Sequence, residues 1–384
     1  MCAPLDTLGL MLLRLSNLPR DYAWGSRTLL AELEGREPSG APEAEVWFGD
    51  HPGDPADVEG ASTLDAVTGG SLPYLLKLLA AADPLSIQVH PTLAQARDGW
   101  ARESHLATDD PTRNYRDDNH KPELIVALSD RFEALGGLRP VADTLRLLDV
   151  LEASAGVVAL RDRLRGGGDV LRDAIAWLLS GTAQGEVDDI IAALDAAASE
   201  DFADELTALR SIAARNPHDP GVVVALLMNF IVLGRGEAIF LRAGLLHAYV
   251  SGLGVEIMAA SDNVLRGGLT PKHIDVPELL SVLDTTPGSV PVLRPAPDGA
   301  VTTYPVGILD FALRRVALDG APVTVDVAGP AVILSTGGEV AVSGTDGVDV
   351  AVPVGRAVFA SADEATLVLS GVGEAFVAQP GTAS

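Results

Sequence analysis

The chain has 384 residues, 47% of them hydrophobic and 21% charged, a composition typical of a globular protein with two or three domains. Acidic residues outnumber basic residues by 53 to 27, for a formal net charge of −26. This balance argues against nucleic acid and membrane partners, because both need a basic surface, and an anionic substrate would need a local cationic pocket.

Cysteine and lysine are scarce. Cys2 is the single cysteine of the sequence, so we expect no internal disulfide and a reducing compartment, the cytoplasm. No apolar run reaches the ~18 residues of a membrane span, and the opening segment lacks the basic start of a signal peptide. The sequence has 24 arginines but only three lysines, Lys77, Lys121 and Lys272. These positions are candidates for a compact ammonium group that a guanidinium cannot replace.

Residues 11–90 are predicted to form short strands and turns, because aromatic residues alternate with Gly, Pro and Asp. His51 is expected to be structural. Towards the end of this segment, alternation places Ser86, Gln88 and His90 on one face of a strand. A glutamine and a histidine two residues apart can bind one metal ion, but a hydrogen-bonded pair lining a barrel explains the pattern equally well.

The next motif, NHKPE, places His120, Lys121 and Glu123 around a proline, at the start of the apolar run ELIVAL. This run is predicted to be a buried strand, and a carboxylate that enters such a strand must be paired, protonated or bound to a metal. Together with the glutamine–histidine pair and with His247, Glu123 would complete a set of four metal ligands.

Between residues 140 and 234 apolar residues recur at i, i+3, i+4 and i+7, which predicts an all-α insert of about five helices. Gly166–Gly168 separates two of these helices. The last helix is predicted in PGVVVALLMNFIVL, where Pro220 would take the first-turn position that proline favours. His218 is expected to lie in a loop, and the insert contains no cluster of metal ligands.

The stretch 236–275 concentrates ionisable residues in an apolar setting. His247 and Tyr249 are two residues apart and therefore share one face of a predicted strand. Structural ion pairs also form such clusters, but a functional site explains this one better. The ionisable residues that follow in this stretch are Glu256, Asp262, Arg266, Lys272 and His273.

Residues 298–384 return to short strands separated by Gly, Pro and Asp, a pattern typical of a small jelly roll. This segment contains neither histidine nor cysteine, since the last histidine is His273. We therefore expect the C-terminal domain to bind no transition metal.

Several of these motifs resemble those of the type I phosphomannose isomerases. The segments that carry the resemblance are YAWGS, AEVWFGDHP, PLSIQVHP, NHKPE, GEAIFLRAGLLHAYVSG and EIMAASDNVLRGGLTPKHIDV, which lie between residues 22 and 276. The resemblance in the order of parts covers nearly the whole chain. Members of that family are zinc-dependent cupin-fold enzymes that interconvert mannose 6-phosphate and fructose 6-phosphate. The resemblance therefore implies a metal-dependent aldose–ketose isomerase, one zinc ion per chain and a small phosphorylated sugar as substrate.

The resemblance also implies a role for each candidate site residue. It implies Gln88, His90, Glu123 and His247 as zinc ligands, Arg266, Glu256, Lys121 and Asp262 as catalytic residues, and Ser86, Lys77 and Lys272 at the phosphate end of the substrate. Four residues could move the proton: Glu256, Asp262, His120 and Lys121. Of these we favour Glu256, because it begins a buried apolar run, and we expect Asp262 to orient Arg266 instead.

The predicted fold class is mainly β with an α-helical insert, that is, two cupin or jelly-roll β domains plus an all-α domain. The predicted division is a catalytic cupin domain in two parts, 1–139 and 235–297, around the helical insert 140–234, and a metal-free cupin-like domain at 298–384. Two alternatives remain: a cupin oxygenase with an iron site and a non-catalytic sugar-binding bicupin. The glutamine and glutamate ligands and the three lysines favour a phosphorylated, non-redox substrate over the oxygenase.

Overall fold

The computed structural model describes residues 11–60, 62–107 and 109–382, so Cys2 and the opening segment lie outside the described residues. Within these ranges the chain is mainly β with a helical insert, as the sequence predicts, and it contains two antiparallel sheets and ten helices, six of them in the insert. None of the described helices is long and apolar enough to cross a membrane.

The segment up to residue 138 forms short elements, as the frequent Gly, Pro and Asp residues predict. Thr92 and Gln95 form a capping box that starts the third helix: the Thr92 side chain accepts from the Gln95 N–H, and the Gln95 side chain accepts from the Thr92 N–H. The elements are β1 (Leu12–Ser16), α1 (Leu29–Glu34), β2 (Glu45–Phe48), β3 (Asp57–Val58), α2 (Leu64–Thr68), β4 (Tyr74–Ala81), β5 (Ile87–Val89), α3 (Leu93–Arg102), β6 (Glu123–Ala127) and β7 (Phe132–Leu138).

The predicted helical insert is present, but its last predicted helix is wrong in its second half. Only the first half of PGVVVALLMNFIVL is helical, and the second half is a strand that pairs with β7. A continuous apolar run does not show whether its period is that of a helix or of a strand. Its second half contains β-branched residues, which favour a strand, and it forms backbone hydrogen bonds with the neighbouring strand β7. The elements are α4 (Val141–Leu148), α5 (Ala155–Leu164), α6 (Val170–Leu179), α7 (Gln184–Ala196), α8 (Ala203–Arg215), α9 (Gly221–Leu226) and β8 (Met228–Leu233).

The segment 238–293 returns to the first sheet and contains its longest strand. Its elements are β9 (Ala238–Leu241), β10 (His247–Ala259), β11 (Leu265–Gly268), α10 (Val276–Val282) and β12 (Val292–Leu293). The beginning of β10 pairs with β5 and β7, and its end pairs with β4 and β6. The register shifts after Tyr249, and Gly252 takes a φ of 121° where a Cβ would lie 2.9 Å from the Phe132 Cα. One strand thus carries His247 and Glu256 into the same interior.

The C-terminal sheet consists of seven further strands and two from the N-terminal segment. β1 pairs with β3 and with the strand Ala357–Ala360 of the C-terminal segment. The sequence instead predicts that all of residues 1–139 belong to the catalytic domain. The two segments TLVLSG and AFVAQ form one continuous strand instead of two. The elements are β13 (Val301–Tyr304), β14 (Ala312–Asp319), β15 (Val323–Asp326), β16 (Ala331–Ser343), β17 (Asp349–Val352), β18 (Ala357–Ala360) and β19 (Thr366–Gln379).

The two sheets enclose a shared apolar core. Along β4 and β6, alternate residues such as Leu76 and Leu124 pack with Phe376 of the C-terminal sheet, whereas Leu79 and Ile125 face the interior of the first sheet. Because apolar groups cover both faces, β4 and β6 are buried along their whole length. The polar residues that enter this interior therefore lie in an enclosed, poorly solvated space.

Candidate metal centre and active site

Three buried residues from different strands meet at one end of the first sheet. His90 follows β5, Glu123 begins β6 and His247 begins β10, and their potential ligand atoms all lie within 4.8 Å of one another. The Nε2 atoms of His90 and His247 lie 3.3 and 3.4 Å from the two carboxylate oxygens of Glu123. The sequence places these residues more than 30 positions apart, and the sheet register brings them together.

The protonation of the two imidazoles fits a bound cation. Nδ1 of His90 lies 2.7 Å from the Asn263 carbonyl oxygen, and Nδ1 of His247 lies 3.0 Å from the Leu245 carbonyl oxygen. A carbonyl oxygen only accepts, so Nδ1 carries a hydrogen in both rings, and Nε2 is the nitrogen that faces the Glu123 carboxylate and could bind a cation.

The protein holds these groups in the charge states that a metal requires. Burial lowers the pKa of His90 to about 4, so its ring is neutral at pH 7. Burial opposes the ionisation of Glu123, but His90 and Lys121 outweigh it and hold the pKa of this carboxyl well below its usual value. The His90 Nε2 atom is buried without a hydrogen-bond partner among the described residues. Two imidazoles and a carboxylate are the ligand types of zinc sites.

Gln88 lies beside this cluster on β5. It is directly opposite both His247 on β10 and Arg266 on β11, so the three side chains share a face of the sheet. Its amide nitrogen donates to Ser86 Oγ at 3.0 Å, which orients the amide and leaves the carbonyl oxygen as a potential ligand. Its role as the fourth ligand stays a prediction.

A second group of charges lies deeper in the same interior. The Lys77 ammonium lies 3.3 Å from Glu256 Oε2 and 3.7 Å from Glu45 Oε1, and 5.0 Å from the centre of the Trp47 ring. The Tyr249 hydroxyl donates to Glu256 Oε1 at 2.8 Å. These groups are nearly inaccessible to solvent, with Glu256 3% exposed. Lys77, predicted at the phosphate end, is thus engaged by two carboxylates.

The environment makes Glu256 a stronger base than an ordinary carboxylate. Burial raises its pKa, the Lys77 ammonium opposes that effect, and the negative charges of Glu123 and Glu45 add to it. Burial disfavours the charged form of Lys77, but the negative charges of Glu45 and Glu256 outweigh burial and raise the pKa of its ammonium. Lys77 therefore stays charged, and Glu256 has a higher affinity for a proton than an ordinary carboxylate.

Two other predicted catalytic residues take partners that the sequence does not indicate. Asp262 contacts His51, with 3.2 Å between Oδ2 and Nε2, and no described contact joins it to Arg266. Burial would raise the pKa of Asp262, but the contact with His51 outweighs it and lowers the pKa. Lys121 reaches the metal cluster, with its ammonium 3.5 Å from Glu123 Oε1. His120 turns away from that cluster and contacts Asp310, 2.9 Å between Nε2 and Oδ2.

The mouth of the interior is cationic. Neither Arg266 nor Lys272 forms a salt bridge with any residue that the structure describes. Burial and the charge of Arg116 lower the pKa of Arg266, and burial, Arg266 and Arg116 lower that of Lys272. Cations that depress each other's pKa in a protein with a net charge of −26 indicate a site for an anion.

One cavity of about 680 Å³ joins all these groups. Ten of the eleven predicted site residues line it, and the eleventh, His90, lies behind Glu123. The ten are Lys77, Ser86, Gln88, Lys121, Glu123, His247, Glu256, Asp262, Arg266 and Lys272.

Three further residues of this region are not indicated by the sequence: Glu45 and Arg116, which line the cavity, and Asn263 beside it. Glu45 accepts from the Trp47 indole N–H at 2.6 Å and contacts Lys77, yet in the sequence it is one of many acidic residues. Asn263 is fully buried, its carbonyl orients His90 and its side-chain oxygen accepts from the Arg116 N–H at 2.7 Å. The one signal for Arg116 is its position three residues before the NHKPE motif.

Comparisons with known proteins agree with this geometry. The family description "Phosphomannose isomerase type I, catalytic domain" matches residues 12–141. Mannose-6-phosphate isomerase from Escherichia coli is 36% identical over 351 residues, which cover 85% of this chain and 89% of the relative. The enzyme from Salmonella typhimurium is 36% identical over 385 residues, covering 94% of this chain and 97% of the relative.

Solved structures give the same result. A mannose 6-phosphate isomerase bound with zinc and yttrium superposes with a TM-score of 0.86 at 33% identity, covering 97% of this chain and all of the other. A single-residue variant of phosphomannose isomerase from Salmonella typhimurium superposes with a TM-score of 0.87 at 32% identity, again covering 97% and 100%. The resemblance that the sequence motifs indicate is confirmed: the chain belongs to the type I phosphomannose isomerase family.

Proposed function

We propose that this chain interconverts D-mannose 6-phosphate and D-fructose 6-phosphate as an aldose–ketose isomerase with one zinc ion per chain. The observation that carries the proposal is the meeting, in one cavity, of a buried two-histidine, one-glutamate cluster and a cationic mouth. Relatives that match most of the chain are named mannose-6-phosphate isomerases, and one related structure is bound with zinc.

His90, Glu123 and His247, with Gln88 as a fourth ligand, would hold the zinc ion. Two imidazoles and a carboxylate match the ligands that zinc prefers. When bound, the ion supplies Lewis acidity that polarises sugar oxygens. Lys121 lies 3.5 Å from a Glu123 oxygen and would exchange protons with those oxygens.

Isomerisation moves a proton from C2 to C1 of the open-chain sugar and needs a base beside the carbon. Glu256 is our assignment for this base, because its burial raises its pKa while Lys77 and Tyr249 fix its two oxygens. The negative charge that develops on the sugar oxygens as the proton leaves would be stabilised by Arg266, which is always charged. C2 is oxidised and C1 is reduced by the same amount, so the reaction needs no external oxidant or reductant.

The phosphate group would lie at the mouth, where Ser86 and Lys272 line the cavity with Arg116. Our prediction also places Lys77 at the phosphate end, but its ammonium lies between two glutamates. We therefore assign Lys77 to the orientation of Glu256 and assign Arg116 to the phosphate. Point charges and a guanidinium suit a phosphate dianion.

Two expectations about domain architecture and cellular compartment accompany this proposal. We infer that each antiparallel sheet is a cupin-type jelly roll, with the helical insert 140–234 between the two parts of the catalytic domain and residues 298–384 as the metal-free domain. The long strands β10 and β19, each of which pairs with several others, support that architecture. The single cysteine of the sequence supports action in a reducing compartment, the cytoplasm.

An assay that couples fructose 6-phosphate formation to a dehydrogenase tests the function. We expect turnover of mannose 6-phosphate, its loss after treatment with a chelator and its recovery on addition of zinc. Absence of turnover by the zinc-loaded protein would overturn the proposal. Oxygen consumption under the same conditions would favour a cupin oxygenase, whereas sugar binding without turnover would favour a non-catalytic bicupin.

A further inference from the structure

The loop that follows β11 carries cavity-lining groups and begins in a strained conformation. Leu269 has a φ of 55°, in the left-handed region that a leucine rarely takes, although its side chain is buried. Thr270 and Lys272 follow directly and line the cavity. A backbone of this kind persists only where its surroundings hold it, so the contacts of this loop identify what holds it.

The loop packs against the helical insert, backbone to backbone. A Cβ on Gly221, the first residue of α9, would lie 2.5 Å from the Leu269 nitrogen and 2.7 Å from the Gly268 Cα. A Cβ on Gly268 would lie 2.3 Å from the Gly221 Cα, and Gly268 has a φ of 133°. Only glycine at both positions permits this approach. The insert therefore touches the loop at the residue that precedes the strained leucine.

One carboxylate joins the two segments. Asp219, just before α9, accepts from the Gly221 N–H through Oδ1 at 2.7 Å and from the Thr270 N–H through Oδ2 at 3.1 Å. Thr270 Oγ1 in turn accepts from the Lys272 N–H at 3.2 Å. A continuous path of hydrogen bonds thus runs from the helical insert through the strained turn to the lysine at the mouth.

We propose that Asp219 is a positioning residue: it holds the loop 268–272 against the helical insert, so that Lys272 is aligned to receive the phosphate of the substrate. This inference rests on the proposed function, because it takes the cationic mouth to be the phosphate site. It gives the insert a role in substrate affinity, although the insert contributes no group to the metal cluster. Asp219 does not touch the reacting carbons, so kcat is independent of it.

Asp219→Asn and Asp219→Ala test the proposal. An asparagine oxygen accepts from one N–H but its amide cannot accept from the second, so the isosteric variant loses one of the two links. We expect KM for mannose 6-phosphate and the inhibition constant of inorganic phosphate to rise about tenfold, the scale of a hydrogen bond to a charged group. The value of kcat should stay within about twofold, because a lost ground-state contact affects KM alone. The zinc content should not change.

The direction of the change separates positioning from charge. Removing a negative charge near an anion site would by itself strengthen phosphate binding, so a purely electrostatic role predicts a lower KM. A lower or unchanged KM in folded Asp219→Asn would overturn the proposal. Asp188→Ala is the matched control, because Asp188 lies in the same insert and contacts His218 next to Asp219 without reaching the loop.

Two further outcomes are distinguishable. If the unsubstituted protein does not turn over mannose 6-phosphate, the proposed function fails, whatever the variants do. If the unsubstituted protein does turn over mannose 6-phosphate, but kcat and zinc content fall together in Asp219→Asn, then Asp219 is structural and the positioning role is wrong. Should Asp219→Ala fail to fold, Asp219→Asn still keeps one of the two hydrogen bonds, and its melting temperature shows whether the comparison is between folded proteins.

Discussion

Lys77 and Glu256 are direct cross-strand partners on β4 and β10, and 3.3 Å separates the Lys77 Nζ from Glu256 Oε2 in the interior of the first sheet. A buried carboxylate needs such a partner to ionise at all, and a buried ammonium needs one to stay charged. The pair is therefore a means of keeping a base available in a space from which water is excluded. Glu45 on β2 completes it from the other side.

Substitution of the base should separate chemistry from binding. Glu256→Gln should keep its zinc and its affinity for mannose 6-phosphate but lose at least about 10²-fold in kcat, the usual scale for a general base. It should also stop exchanging the C2 hydrogen of the substrate with D₂O, measured by NMR. Exchange that persists in Glu256→Gln and disappears in zinc-loaded Lys121→Met would identify Lys121, or a group that it controls, as the base.

Neutral substitutions on either side of the base should shift the pH profile in opposite directions. Lys77 lowers the pKa of Glu256 and Glu45 raises it. The base must be ionised to act, so the acidic limb of kcat/KM against pH should move to higher pH in Lys77→Met and to lower pH in Glu45→Gln. Parallel shifts in both variants would contradict this arrangement. Lys77→Met should also lower the free energy of unfolding by about 3–5 kcal/mol, since it leaves buried carboxylates without a counter-charge.

Metal binding should depend on the cluster and on no other histidine. His247→Ala and Glu123→Ala should each lose zinc, measured by elemental analysis of the purified protein, which we expect to hold one ion per chain. His218→Ala, in the helical insert, and His51→Ala, beside Asp262, should keep it. A second stoichiometric ion, or zinc retained in both ligand variants, would show that the site is elsewhere.

Affinity for phosphate should depend on the cations at the mouth. Arg116→Gln should raise KM for mannose 6-phosphate with a small change in kcat, and the dependence of KM on salt concentration should become weaker than in the unsubstituted enzyme. Lys272→Arg should also raise KM, because a guanidinium does not reproduce the geometry of a compact ammonium. Arg146→Gln, an exposed position on α4, serves as the control. Unchanged kinetics in Arg116→Gln would contradict its assignment to the phosphate, and unchanged kinetics in Lys272→Arg would show that arginine can replace lysine at this position.

The sequence by itself determined the residue types of the site and the segments that carry them. His90 and Glu123 each lie beside a proline at one end of an apolar run, which marks them as candidates, and the motifs around them and His247 carry the family resemblance that implies their role as ligands. The helical insert and the short C-terminal strands also follow from periodicity, since hydrophobic spacing of 3.6 or 2 residues is a local property.

Only the tertiary structure decided which residues act as partners, because pairing depends on strand register across long separations in the chain. Periodicity indicates neither that Asp262 contacts His51 nor that Lys77 lies between two glutamates. The apolar run after α9 became a strand for the same reason, since the open edge of β7 supplied its hydrogen bonds. The contact of the insert with the loop 268–272 likewise depends on two glycines 47 positions apart that meet only in the folded chain.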